Sequence, residues 1–252
     1  MLDELQKERY ARHLIMKGFG LEAQEKLLAG SVLVVGAGGL GSPVALYLAA
    51  AGVGRIGIVD SDVVDLSNLQ RQILHTEADV GIPKALSAAQ SMNAINSGIT
   101  VEPHCMLVDD DNAEELFAQY DFVIDASDNF DTKFLINDVC VRMGKPFCHG
   151  SVMGFDGQML TYVPGRGPCY RCIFKEPPPA ETARTAKTEG IIGAVAGAIG
   201  CLQAMEAIRF LTGVGELMCG RLLIYEGFYG EFREIELGGA EPDCPACQAA
   251  RE

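Results

Sequence analysis

The sequence predicts an α/β fold: a doubly wound, mostly parallel sheet extended by antiparallel strands. Three observations predict it. The β-branched run Ser31-Val-Leu-Val-Val35 leads straight into Gly36-Ala-Gly38-Gly39-Leu-Gly41 and then an apolar helical stretch, Pro43 to Ala51. Short apolar runs then alternate with helical stretches as far as residue 152. From Phe155 onward the apolar period shortens to two, as in antiparallel strands.

Taken in order, residues 3 to 28 read as one or two amphipathic helices, with Leu5, Tyr10, Leu14 and Ile15 apolar, broken at Gly18 and Gly20. They precede the first strand and so lie outside the sheet. Arg9-Tyr10-Ala11-Arg12 within them reads locally as a solvated basic face. The glycine turn follows, where a strand, a sharp bend and a helix N-terminus let a phosphate approach backbone amides at the positive end of the helix dipole. The next strand, Arg55 to Asp60, ends in an acid about 20 residues beyond the turn, the separation of a carboxylate that holds a ribose hydroxyl.

Past Asp60 comes the polar loop Asp60-Ser-Asp62 to Gln72, at a strand's carboxyl end, where ligands sit in open α/β sheets. Asn68 and Arg71, a helical turn apart, are both candidates to face that crevice; the bland alternative is Asp65-Leu-Ser67 as a cap with Arg71 solvated. Lys84 opens the helix Ala85 to Asn96, where a cation opposes the dipole, so an anion is expected nearby. The alternation continues through strand Thr100 to Met106, helix Ala113 to Gln119, strand Phe122 to Ala126, helix Asp131 to Arg142 and strand Pro146 to Val152. After Phe122-Val-Ile-Asp125-Ala stands Ser127-Asp128-Asn129, in which Asp128 either holds Mg²⁺ beside phosphates or belongs to a helix cap. Gln158 to Val163 reads as an antiparallel strand, Arg221 to Glu226 and Glu231 to Leu237 as a hairpin around Gly227 to Gly230, and Lys175 to Glu189 as a mobile loop.

The chain of 252 residues is read as one domain, 1–252, comprising a helical extension (1–30), a nucleotide-binding half (31–152), and a second half (153–252) with the antiparallel strands, a long helix and a metal knuckle. A formal charge of −14 disfavours nucleic acid and anionic membrane as partners, so any polyphosphate must be held by a few local cations. The apolar stretch Ile191 to Ile208 raises the question of a membrane span, but Gln203, Glu206 and the following Arg209 favour a core or interface helix. The polar start, Met1 to Lys7, lacks a signal-peptide pattern, and a cytoplasmic location is expected.

Nine cysteines in such a chain are not a disulfide framework. Cys169-Tyr-Arg-Cys172 and Cys244-Pro-Ala-Cys247 are two C-x-x-C pairs, and four thiolates make a closed tetrahedral structural zinc site. A redox dithiol would explain one pair rather than two.

With these motifs in order, the sequence resembles the ubiquitin-activating-enzyme-like adenylyltransferases of the MoeB, ThiF and HesA type, over nearly its whole length. The resemblance rests on Arg9 to Arg12, Gly36 to Gly41, Asp65-Leu-Ser-Asn-Leu-Gln-Arg-Gln72, Pro83-Lys84, Ser127-Asp-Asn129, both cysteine pairs and Leu202-Gln-Ala-Met-Glu-Ala-Ile208. It implies that ATP and the C-terminal glycine carboxylate of a small ubiquitin-like sulfur-carrier protein ending in Gly-Gly give a carrier acyl-adenylate and pyrophosphate, for molybdopterin, thiamine or related sulfur transfer. It implies that Asn68, Arg71 and Lys84 hold the phosphates, Asp128 the Mg²⁺ and Asp60 the ribose. Gly36, Gly38, Gly39, Gly41, Ser67, Leu69, Gln70 and Asn129 are then expected beside the nucleotide. It further implies a homodimer in which Arg12 reaches into the partner's site. Many members of the family carry a cysteine in a Thr-Cys-x-x-x-Gly setting; here the stretch is Thr185-Ala186-Lys187-Thr188-Glu189-Gly190. With no loop thiol, the chain is expected to stop at the adenylate and leave sulfur delivery to another protein. Two further readings are an NAD-dependent oxidoreductase, which leaves Arg12, Arg71 and Lys84 without a role, and a non-catalytic scaffold.

Overall fold

The computed structural model describes residues 2–179 and 186–250. Helices Glu4–Arg9 (α1), Ala11–Leu14 (α2) and Gly20–Ala29 (α3) come first. Tyr10 pins them to the body: its hydroxyl accepts from Asn96 Nδ2 at 2.9 Å, and its ring packs so closely on Gly52 that a Cβ there would lie 2.3 Å from the hydroxyl.

The nucleotide half runs β1 (Ser31–Val35), α4 (Gly41–Ala51), β2 (Arg55–Val59), α5 (Lys84–Ile95), β3 (Thr100–His104), α6 (Ala113–Ala118), β4 (Phe122–Asp125), α7 (Phe130–Met143) and β5 (Phe147–Met153). The remainder is β6 (Asp156–Tyr162), α8 (Tyr170–Ile173), α9 (Ala186–Glu189), α10 (Gly193–Thr212), β7 (Arg221–Glu226), β8 (Glu231–Glu236) and α11 (Pro245–Ala249). These strands form one sheet in the order β3-β2-β1-β4-β5-β6-β7-β8. The pairs from β3 through β5 are parallel and those from β5 through β8 antiparallel. This is the fold class that the sequence predicts.

Both faces of the parallel part are covered, which is why β1 is apolar at successive positions rather than alternate ones. Val32 and Val34 enter the core beneath α4, α5 and α10, whereas Leu33 and Val35 enter the core beneath α6 and α7. The strand order reverses between β1 and β4, and there a crevice opens beyond the strands' carboxyl ends.

Helix α10 is long and apolar enough to cross a membrane, yet its buried polar residues Gln203 and Glu206 are tied into the fold by hydrogen bonds. Gln203 donates to Asp125 O at 2.8 Å and Cys148 O at 3.2 Å. Glu206 accepts from Thr161 Oγ1, Met218 N and Arg209 Nη1 within 2.8 Å. A buried core helix is thus the better description, as Gln203 and Glu206 suggested.

Several boundaries differ from the sequence expectation. Helix α4 starts at Gly41 rather than Pro43, and α5 takes in Lys84. Asp60 lies just past β2, where its side chain accepts from Ala37 N of the glycine turn. Of the expected mobile loop, Ala186–Glu189 is a helical turn, and residues 180–185 lie outside the described residues.

Candidate active site

At the end of β1 the backbone turns through Gly36, whose φ of +104° is open to glycine and strained for other residues; a Cβ there would lie 2.7 Å from Ala126 O. Gly41 is needed for a different reason: a Cβ would lie 1.8 Å from Gly36 O, so α4 could not close onto the turn. Asp60 then fastens the turn to β2. One carboxylate oxygen accepts from Ala37 N and the other from Asp62 N, both at 2.8 Å. Burial pushes the Asp60 carboxyl above its ordinary range, with Lys84 and the two N–H donors pulling the other way. Behind the turn, buried His75 donates from Nε2 to Ala37 O at 3.0 Å and accepts from Ser87 Oγ at 2.7 Å. Burial lowers its pKa, so the ring is a neutral brace.

The turn forms one wall of a cavity of about 340 Å³, whose lining includes Gly38, Gly39, Asp60, Arg71, Lys84 and Asp128. The turn residues Gly38, Gly39 and Leu40 border this cavity, whereas the amides at the start of α4 close onto the turn, Ser42 N donating to Gly38 O at 2.9 Å and Val44 N to Leu40 O at 3.4 Å. Arg71 is steadied by a bond from Nη1 to Ser67 O at 3.2 Å. Lys84 is buried, and its ammonium pairs with exposed Asp62 at 2.8 Å. The anion expected near Lys84 is therefore already present as a side chain, and the sequence reading gave Asp62 no role. Asp128 is exposed at the opposite rim, and Asn129 both lines the cavity and caps α7 by accepting from Thr132 N at 2.9 Å. The two alternatives left open for Ser127 to Asn129 thus divide: Asn129 is the cap, and Asp128 faces the crevice.

The loop Ser67 to Gln70 departs from expectation. Asn68 Oδ1 accepts from Asp65 N at 3.2 Å and Asp65 accepts from Ser67 N and Oγ, a capping box on the short 3₁₀ turn Leu66–Asn68. Capping engages Asn68 Oδ1, and Ser67, Asn68, Leu69 and Gln70 do not line the cavity; only Arg71 and Gln72 of that loop do. Gly41 also stands back from it, as a packing residue. Arg12 is exposed and outside the cavity of its own chain.

The sequence reading missed a buried polar node under the far wall. Lys133 Nζ donates to Ser127 O at 2.7 Å and Gly150 O at 2.8 Å and lies 3.3 Å from the Asp125 carboxylate. His149 Nδ1 donates to the same carboxylate at 2.7 Å, and Ser127 Oγ at 2.6 Å. Burial works to raise the Asp125 pKa, but Lys133, His149 and Ser127 outweigh it and hold the carboxyl at about 2. The only sequence signal was a charged residue closing the apolar strand Phe122–Asp125. The wall contributed by β5 and β6, including Ser151, Asp156 and Gln158, was likewise not anticipated.

Away from the cavity, Cys169, Cys172, Cys244 and Cys247 converge, all buried. Cys169 Sγ is 3.7 Å from Cys172, 3.6 Å from Cys244 and 3.6 Å from Cys247, and Cys172 is 3.7 Å from Cys247. These separations are far beyond a disulfide and close to the edge of about 3.8 Å that a tetrahedron with metal–sulfur bonds of about 2.3 Å requires. The donor set therefore fits zinc.

A glycine turn at the switch point of a parallel sheet, an acid just past the second strand and two cations at the crevice define a doubly wound α/β protein with a candidate nucleotide site. The ThiF family model matches residues 10–246, and the chain belongs to that family. It is 50% identical over 239 residues to an "adenylyltransferase and sulfurtransferase MOCS3-1" of Zea mays, covering 95% of this chain and 51% of that protein. It is 48% identical over 246 residues to a "SAMP-activating enzyme E1" of Haloferax volcanii, covering 98% of this chain and 90% of that one. The chain thus spans about half the length of the maize relative. Among solved structures, Escherichia coli MccB crystallised with MccA-N7isoASN is similar at a TM-score of 0.84 and 25% identity, over 96% of this chain and 74% of that one.

Proposed function

We propose that the chain uses ATP to adenylate the C-terminal glycine carboxylate of a small ubiquitin-like sulfur-carrier protein, releasing pyrophosphate. The observation that carries this reading is the convergence of Arg71, Lys84, Asp128 and the glycine turn on one cavity in a protein of net charge −14. Two anions must meet for a carboxylate to attack the α-phosphorus. The substrate brings its own nucleophile, so the protein's task is positioning and charge stabilisation.

In this reading Asp60 holds the ribose, and Arg71 and Lys84 take the phosphates, Lys84 exchanging its Asp62 partner for a phosphate oxygen. Asp128 is placed to hold Mg²⁺, which when bound would neutralise phosphate charge. Arg12, exposed beside Ile15 (74% exposed) and Met16 (53%), is offered to a second copy of the chain, whose site it completes. The four cysteines hold a structural zinc, which elemental analysis of the purified chain counts directly. With alanine at position 186 no thiol in that loop takes over the acyl group, so the adenylate is the product handed on.

Carrier-dependent exchange of labelled pyrophosphate into ATP tests the reading. Arg71→Ala should lower exchange by about 10² to 10³ with the fold intact. Mixing Arg12→Ala with Arg71→Ala chains should restore part of it, because a mixed dimer has one site carrying both arginines. Wild-type exchange in Arg71→Ala would remove the site assignment, and a mixture that forms heterodimers yet stays inactive would remove the role of Arg12 in trans.

A further inference from the structure

The buried node beside the cavity has more structure than its place in the core requires. Lys133 has three N–H donors and three directions of acceptor: Ser127 O, Gly150 O and the Asp125 carboxylate. Its side chain is 4% exposed although the residue borders the cavity, so the ammonium faces the protein rather than an incoming phosphate. Each acceptor belongs to a different part of the site. Asp125 closes β4, Ser127 begins the loop that carries Asp128 and Asn129, and Gly150 sits on β5 one residue before Ser151, which lines the opposite wall. Asp125 in turn accepts from Ser127 N at 3.0 Å, so the loop is held by its amide and by its carbonyl at once. His149 fixes the second oxygen of that carboxylate from β5.

We propose that Lys133 is a positioning residue for the nucleotide cavity: clamped between Asp125 and two backbone carbonyls, it sets the spacing between the Ser127–Asn129 loop and β5. The inference rests on the nucleotide reading above for what the cavity holds, but the clamp itself is a property of the chain alone. Without the ammonium, Ser127 O and Gly150 O lose the group that joins them, and the loop bearing Asp128 is free to shift while both cores stay packed.

The test uses the full chain as wild type, Lys133→Met and the charge-neutral pair Asp125→Asn with Lys133→Met. The neutral pair guards against misfolding caused by leaving a buried carboxylate alone. Val139→Ala, on the same helix and fully inside the core, serves as a destabilised control. Binding of ATP with Mg²⁺ is measured by calorimetry, and backbone amide exchange is followed without ligand. Both Lys133 variants should bind at least tenfold more weakly and exchange the amides of residues 126–129 faster, whereas Val139→Ala should lower the melting temperature with neither change. Wild-type affinity in the Lys133 variants, or wild-type exchange across 126–129 in both, would overturn the proposal. Should the wild-type chain itself fail to bind ATP, the nucleotide reading falls, and amide exchange alone decides whether Lys133 is the clamp.

Discussion

Lys84 and Lys133 are both buried lysines beside one crevice, and their partners separate their roles. Lys84 has a single exposed carboxylate, Asp62, which a phosphate can replace; Lys133 is saturated by the protein. The buried histidines and Asp125 give these side chains a pH signature. Burial holds His75, His104 and His149 below their ordinary 6.5, so below that pH the unfolded chain binds protons that the folded chain does not. Stability is fully present above about 6.5 and declines as the pH falls through the values of the folded chain. Asp125, held at about 2 against an ordinary 3.8, adds a loss of about 2 kcal/mol as the pH falls from about 4 towards 2. Melting temperatures should therefore drop between pH 7 and 5 and again below 4; a melting temperature that is flat from 7 to 5 contradicts the neutral histidines. At this scale the sequence revealed Asp60, Arg71, Lys84 and Asp128 because each follows a strand end or opens a helix. Asn68 was read only as a phosphate ligand, and its Oδ1 also serves the capping box of its turn, because the two roles draw on the same residue types. Lys133 was hidden because a lysine in a helix reads as solvated until the fold sets carbonyls around it.

Two elements organise the molecule. The glycine turn joins β1, β4 and α4, and its glycines divide the work: Gly41 lets the helix approach, whereas Gly38 borders the cavity, and a Cβ added to it would lie 3.7 Å from its nearest neighbour, Gln72 Nε2. Gly41→Ala should cost about 3 kcal/mol or more in denaturant unfolding. Gly38→Ala should leave stability within about 0.5 kcal/mol but weaken nucleotide binding measured by calorimetry. The reverse pattern would show that the turn's approach to the helix and its approach to the ligand have been assigned to the wrong glycines. Helix α7 is the second such element. Lys133 borders the cavity, and further along Asn137 accepts from Tyr170 N at 2.8 Å while Asp138 pairs bidentately with Arg171, both bonds at 2.7 Å, so the first cysteine pair is bolted to the helix that walls the site. Periodicity made both helices legible, along with the turn and the antiparallel hairpin. It did not show that α7 links two sites, because Tyr170 and Asn137 are 33 residues apart in sequence and meet only in the fold.

For the whole molecule, a net charge of −14 and a polyphosphate site are in conflict unless the cations are concentrated. They are: Arg71 and Lys84 reach the cavity, the first from the polar loop and the second from the start of α5, whereas Arg12 is exposed outside it. The doubly wound architecture and the paired cysteines could be read from spacing alone. The wall made by β5 and β6 could not, since it depends on how the antiparallel extension curls beside the parallel sheet. The central claim is that these groups join AMP to a carrier's terminal carboxylate. Its most direct measurement is the intact mass of a carrier ending in Gly-Gly after incubation with the chain, ATP, Mg²⁺ and a pyrophosphatase. The account predicts a gain of one adenylyl group, absent when the carrier's last glycine is removed or Arg71 is alanine. An unmodified carrier alongside bound ATP, or adenylylation that persists without the terminal glycine, would contradict it.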